Sequence, residues 1–149
     1  MPRSAHKILL FIVLAAAVVS PAALASGARP SAHAARLVFF RTPSNLIGCM
    51  YSSSPVELRC DTRYRTKFSR GRHHCGQGDV GQSFRMTRRG RVRVPCTSDA
   101  AFDPSARVLH YGDVRAYGPF ECTSLKTGLD CTNQAHHGWS LSRQRQNLF

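Results

Sequence analysis

From residue 37 onward, apolar and polar side chains alternate in short runs broken by turn residues, the pattern of half-buried strands joined as hairpins. Leu37, Val38, Phe39 and Phe40 form a compact apolar run that predicts a buried strand. Thr42, Pro43, Ser44 and Asn45 supply turn chemistry. Beyond the turn, Ile47, Cys49 and Tyr51 share one face by period-two spacing. The chain turns again at residues 52–55 and returns with Val56, Leu58 and Cys60 inward and Glu57, Arg59 and Asp61 outward. A symmetric hairpin then sets Cys49 opposite Cys60, within reach of a disulfide. Residues 120–133 repeat the device: folding about Leu125, Lys126, Thr127 and Gly128 sets Cys122 opposite Cys131. Both hairpins return through leucine, a charged residue and cysteine, a weak internal echo that two independent local solutions explain equally well.

The remaining segments follow the same reading. Residues 62–68 alternate, with Arg63, Arg65 and Lys67 on one face and Tyr64, Thr66 and Phe68 on the other. Residues 83–96 read as a hairpin turning at Arg88, Arg89 and Gly90, with Phe84, Met86, Val92 and Val94 inward. Residues 97–106 are loop-like, broken at Asp103-Pro104. Residues 108–117 read as a hairpin turning at Gly112-Asp113. Trp139, Leu141 and Arg143 share a face of the expected last strand, and the apolar Leu148-Phe149 suggests a docked terminus. No helix longer than a turn or two is expected. The predicted fold is a single all-β domain over residues 37–149, a small disulfide-stapled sandwich or barrel of antiparallel hairpins.

The first residues change the picture by adding a compartment. Arg3, His6 and Lys7 precede an apolar run at 8–19, Pro21 and the small residues Ala23-Leu24-Ala25. This is the order of a cleaved export signal over residues 1–25, and the run is short for a membrane span. Residues 26–36 read as a flexible lead. Cleavage leaves 124 of the 149 residues, a single-domain length. The six cysteines, Cys49, Cys60, Cys75, Cys96, Cys122 and Cys131, all follow the signal. An even count in an exported chain predicts three disulfides. Six cysteines allow about 15 connectivities. Nearest-neighbour pairing, with Cys75 to Cys96 as the third bridge, is the hypothesis. No Cys-x-x-Cys is present for zinc.

The net charge of +13 is concentrated. Residues 62–94 hold ten Lys or Arg and one acid, Asp79, whereas five bases balance five acids from Pro95 onward. Arg85, Arg88, Arg89, Arg91 and Arg93 place five guanidinium forks within nine residues, suited to phosphates and carboxylates. They are the candidate anion-binding residues. The expected partner is an anionic envelope polymer or lipid headgroups, without specific nucleic-acid recognition, since Tyr64, Phe68 and Phe84 look core-facing. Gly76, Gly78 and Gly81 match a dinucleotide-binding spacing but lack the flanking strand and helix that make it work, so they read as a turn. The adjacent pairs His73-His74 and His136-His137 point to opposite faces of any strand, so no metal or cofactor is expected. His110, Glu121 and an arginine supply the residue types for phosphodiester hydrolysis, without a spacing that joins them.

Taken together, Phe40-x-Thr42-Pro43-Ser44, Ile47-x-Cys49, Leu58-Arg59-Cys60-Asp61, Gly78-Asp79-x-Gly81, Tyr111-Gly112, Phe120-x-Cys122-x-Ser124, Gly128-Leu129-x-Cys131-x-Asn133 and His137-Gly138-Trp139-x-Leu141-Ser142-Arg143 resemble an uncharacterised family of exported bacterial proteins, mostly actinobacterial, carrying a domain of unknown function. The resemblance runs from about Val38 to Phe149 and implies export and a six-cysteine β-rich domain, but no activity. The chain departs from the family at Asn45-Leu46, where glycine and asparagine are usual, and at Ser98-Asp99-Ala100, where Gly-Asp-Thr is frequent. The resulting expectation is a secreted, non-enzymatic binding or envelope-associated protein. The alternatives are a secreted hydrolase of phosphodiesters or glycans and a protease-inhibitor-like module.

Overall fold

The computed structural model describes residues 34–64 and 82–149. The expected export signal at 1–25, most of the expected lead, Cys75, His73, His74 and the glycines at 76–81 lie outside these residues. Within them the fold is all-β with no helix. The first half supplies β1 (Leu37–Arg41), β2 (Ile47–Ser53), β3 (Val56–Thr62), β4 (Gln82–Thr87) and the short β5 (Arg107–Val108). The second half supplies β6 (Val114–Tyr117), β7 (Phe120–Leu125), β8 (Gly128–Asn133), β9 (Gly138–Leu141) and β10 (Gln146–Leu148). They form two five-stranded sheets, ordered β4-β3-β2-β1-β5 and β10-β9-β8-β7-β6. All neighbours are antiparallel except β5, which runs parallel to β1.

The sheets pack face to face as a sandwich. Phe40 stacks on Tyr117 with centroids 4.0 Å apart. Tyr51 meets Phe120 edge-on at 6.1 Å, and Phe84 meets Trp139 at 6.3 Å. Each of these ring pairs joins one sheet to the other, the offset or edge geometry aromatic rings prefer. Cys49 faces Cys60 in the β2–β3 register and Cys122 faces Cys131 in the β7–β8 register, and both pairs are disulfide-bonded with Cα atoms 4.1 Å apart. Cys96 is also disulfide-bonded; Cys75, its expected partner, is not among the described residues. The echo between the hairpins extends further than the shared leucine and cysteine. Phe84 of β4 sits beside Cys60, and Trp139 of β9 sits beside Cys131. Each half thus brings a disulfide and an aromatic ring to the common core.

Two expected hairpins come out differently. Residues 108–117 do not fold back on themselves. β5 joins the first sheet and β6 the second, so the chain crosses between sheets over residues 109–113. Leu109, fully buried, anchors the crossover, and Gly112 turns it at a positive φ of 91° that favours glycine. The Gly112 N–H donates to the Ser124 carbonyl and the Ser124 N–H to the Asp113 carbonyl, tying the crossover to β7. In the expected 83–96 hairpin, the return arm pairs with β4 only through the single bridge Arg85↔Arg93. Pro95 has no N–H to extend the ladder. The strand at 138–141 is not the last: β10 pairs with it, and the Phe149 backbone bonds to Gly138, so the terminus is docked.

Arg59 and Asp61 were expected to face solvent. Both lie on the outer face of the first sheet, yet they are 3% and 4% exposed, because residues 97–102 fold over them. The Arg59 guanidinium donates through Nε and Nη2 to both Asp61 carboxylate oxygens, at 3.0 and 2.8 Å. Its Nη1 donates to the Asp99 carboxylate, and its Nη2 also reaches the Asp99 carbonyl and Thr97 Oγ1. The Ala101 N–H donates back to Asp61. Gly48 lets the Phe102 ring lie on the sheet: a Cβ there would come within 2.6 Å of it. The Arg63 guanidinium caps that ring at 4.3 Å. Burial works against the Arg59 charge, but the hydrogen bonds and charges of Asp61 and Asp99 outweigh it, and the group titrates above its ordinary value.

Two outcomes follow for stability. Replacing Cys122 and Cys131 together by alanine removes the constraint on a short loop and is expected to lower the unfolding free energy by about 3 kcal/mol, read by denaturant titration. Asp61→Ala leaves Arg59 buried without its closest counter-charge and is expected to cost about 3–5 kcal/mol, with Asp99→Asn costing less. The Arg59 hydrogen bonds hold Asp99 below the usual carboxylate range. Its contribution is therefore present above about pH 4, the unfolded value, and lost as pH falls through the lower folded value. Asp99→Asn is expected to flatten that acid limb of the melting temperature, while an unchanged limb would assign it to other carboxylates.

Candidate functional site

The candidate anion-binding arginines lie on β4 and the segment that follows it. β4 is the edge strand of the first sheet, hydrogen-bonded to β3 on one side and to the lone Arg85↔Arg93 bridge on the other. Register places Arg59, Arg85 and Arg93 side by side across the outer face. Like charges directly opposite one another destabilise paired strands, and two of the three arginines have an anion beside them. Arg59 has Asp61 and Asp99, and Arg85 has Glu57 at 3.6 Å. Arg88, Arg89, Arg91 and Arg93 are exposed and make no ion pair among the described residues.

This segment is held, not loose. The Asn133 side-chain amide, projecting from the end of β8, donates to the Thr87 carbonyl at 2.9 Å and the Gly90 carbonyl at 2.8 Å. Its own oxygen accepts from the Ala135 and His137 N–H groups. The Gly90 N–H donates to Thr87 Oγ1, closing the turn that carries Arg88 and Arg89. Farther along, Arg85 and Arg93 exchange two backbone hydrogen bonds of 2.8 Å. Val92 and Val94 pack against the core, which sends the alternate residues Arg91 and Arg93 outward. Between the segment and β4 lies a cavity of about 400 Å³, lined by Glu57, Arg85, Met86, Thr87, Arg91 and Arg93. The anchoring by Asn133 was not visible in the sequence, where that residue stood only as part of a motif.

A second cavity, of about 200 Å³, opens at one end of the sandwich between Thr42, Ser44, Tyr64, Tyr111, Lys126 and Arg143. Burial pushes the Tyr64 phenol up to about 12, opposed by the charge of Arg143, and its hydroxyl has no partner among the described residues. Thr42 is occupied with the turn: its hydroxyl lies 3.1 Å from that of Ser44 and within hydrogen-bond reach of the Ile47 backbone.

The residues named for hydrolysis do not come together. His110 is exposed on the crossover, its N–H bonded to Asp113. Glu121 is exposed on the outer face of β7, beside Ala116 and Thr132. Neither lines a cavity named above, and no hydrogen bond joins them. Among the described residues, no group of three His, Cys, Asp or Glu side chains is placed to hold a metal ion, and no helix is long and apolar enough to cross a membrane.

No curated protein and no solved structure matches the chain. Residues 12–149 match the model of a family of unknown function (DUF6636), which spans both sheets, both disulfides and the arginine segment, and the chain belongs to that family.

Proposed function

We propose that this protein is exported and works by binding rather than catalysis, with Arg88, Arg89, Arg91 and Arg93 contacting an anionic polymer or lipid headgroups of the cell envelope. One observation carries the reading: four exposed guanidinium groups lie within six residues, without a counter-ion among the described residues, on a segment tied to the second sheet by Asn133. A face that served solubility alone has no need of such anchoring. Holding the backbone that carries the forks lowers the ordering cost when an oxyanion binds. The disulfides agree with an oxidising compartment.

Replacing Arg88, Arg89, Arg91 and Arg93 together by glutamine tests this. The parent protein is expected to be retained on heparin and on vesicles containing anionic lipid, with retention falling steeply as salt rises. The fourfold variant should elute at much lower salt and lose vesicle binding while its melting temperature stays close to that of the parent. Equal retention of the two proteins would overturn the assignment.

A further inference from the structure

At the opposite edge of the sandwich a second set of arginines is arranged quite differently. The ladder places Arg107 of β5 directly beside Phe40 and Arg115 of β6 directly beside Cys122. Laterally paired residues point to the same face of a sheet, so both arginines stand on the inner, core-facing side. Arg36 precedes β1 in phase with Val38 and Phe40 and joins them. Its backbone bonds to Ser53, which fixes its position. Inner faces of a sandwich are ordinarily filled with apolar side chains. Here three cations, Arg36 and Arg107 exposed and Arg115 half-buried, stand at the rim of that face where β5 and β6 leave the sandwich open.

The result is a cleft of about 250 Å³ lined by Arg36, Phe39, Tyr51, Arg107, Arg115 and Tyr117. It contains no acid. No hydrogen bond or ion pair engages any of the three guanidinium groups among the described residues. Burial pushes the Tyr117 phenol up to about 12; the charges of Arg115 and Arg107 oppose that push, and the carboxylate of Asp113, outside the lining, adds to it. Tyr117, 6% exposed and stacked on the fully buried Phe40, closes the inner end of the cleft, and Gly118 lets the Tyr51 hydroxyl lie against the β6–β7 turn. Guanidinium forks match carboxylate and phosphate oxygens two at a time, and aromatic faces suit the apolar side of a ring. The volume is that of a single ring with its substituents, below the range of drug-sized pockets.

We propose that this cleft is a binding site for an anionic sugar unit, with the phosphate or carboxylate between Arg107, Arg115 and Arg36 and the ring against Tyr117 and Tyr51. The site lies at the other edge of the first sheet from the 88–93 segment and stands or falls independently of it. The same chemistry is offered by a free sugar phosphate and by one residue of an acidic glycan.

The experiment is a titration of the isotope-labelled, disulfide-intact protein with glucose 6-phosphate, glucuronate, polyglucuronate, glucose and inorganic phosphate, followed by amide chemical shifts. Saturable shifts at Phe40, Tyr51, Arg107 and Tyr117 are expected with the anionic sugars and not with glucose at equal concentration. Saturation by the polymer and not by the monosaccharides would identify a glycan as the source; the reverse would identify a free sugar. Arg107→Gln/Arg115→Gln should weaken binding at least tenfold, and Arg36→Gln, a milder change outside the ladder, should weaken it less. The 88–93 glutamine variant should bind as the parent does. Unchanged affinity in the Arg107/Arg115 variant, shifts confined to 88–93, or inorganic phosphate binding as tightly as the sugar phosphate would each overturn the proposal.

Discussion

The structure depends on a register constraint set twice. In each sheet a disulfide joins two residues that face each other across an antiparallel pair. A Cα separation of 4.1 Å belongs to the close, non-hydrogen-bonded positions of such a ladder. A slip of one residue would throw the cysteines to opposite faces, so the bond admits one register. With β2–β3 and β7–β8 locked, the facing of the side chains on these strands is set. Leu58 and Leu129 then point into the same core, where Phe84 and Trp139 close over the two bridges.

With the core on the inner faces, the outer face of the first sheet is free to carry charge, and it does so in an ordered row. Arg59, Arg85 and Arg93 lie abreast, with anions supplied in decreasing measure from the centre of the sheet to its edge. Arg59 is enclosed by Asp61, Asp99 and the covering loop. Arg85 shares Glu57. Arg93, Arg91, Arg89 and Arg88 make no ion pair among the described residues. The innermost arginine therefore organises the loop at 97–102, a structural role, while the outermost ones are left to solvent or to a ligand. The departure from the usual family residues at Ser98-Asp99-Ala100 falls in this loop. Asp99 itself remains as a carboxylate in contact with Arg59.

The two arginine groups differ in kind. Residues 88–93 offer several exposed guanidinium groups at the β4 edge, the chemistry of a repeating polyanion's partner. Arg36, Arg107 and Arg115 converge in a concave cleft with aromatic walls at the β5–β6 edge, suited to one small oxyanion-bearing ring. Strand order places them on opposite edges of the same sheet.

The sequence by itself determined what depends on near neighbours. Period-two alternation and turn residues disclosed the hairpins that hold Cys49–Cys60 and Cys122–Cys131, because a short antiparallel loop is symmetric about its turn. The same local logic revealed the all-β class, the core positions of Leu58, Phe84 and Met86, and the arginine run. Tertiary structure alone decided everything that depends on which strand lies beside which. Gly112-Asp113 has the chemistry of a hairpin turn, yet the parallel docking of β5 on β1 makes it a bridge between sheets. Arg59 and Asp61 alternate like solvent-facing residues, and only a loop from 40 positions away buries them. Arg36, Arg107 and Arg115 are scattered along a stretch of 80 residues and read as ordinary surface charges. Pattern along a chain reports which face a side chain takes, but packing between distant segments determines what that face meets.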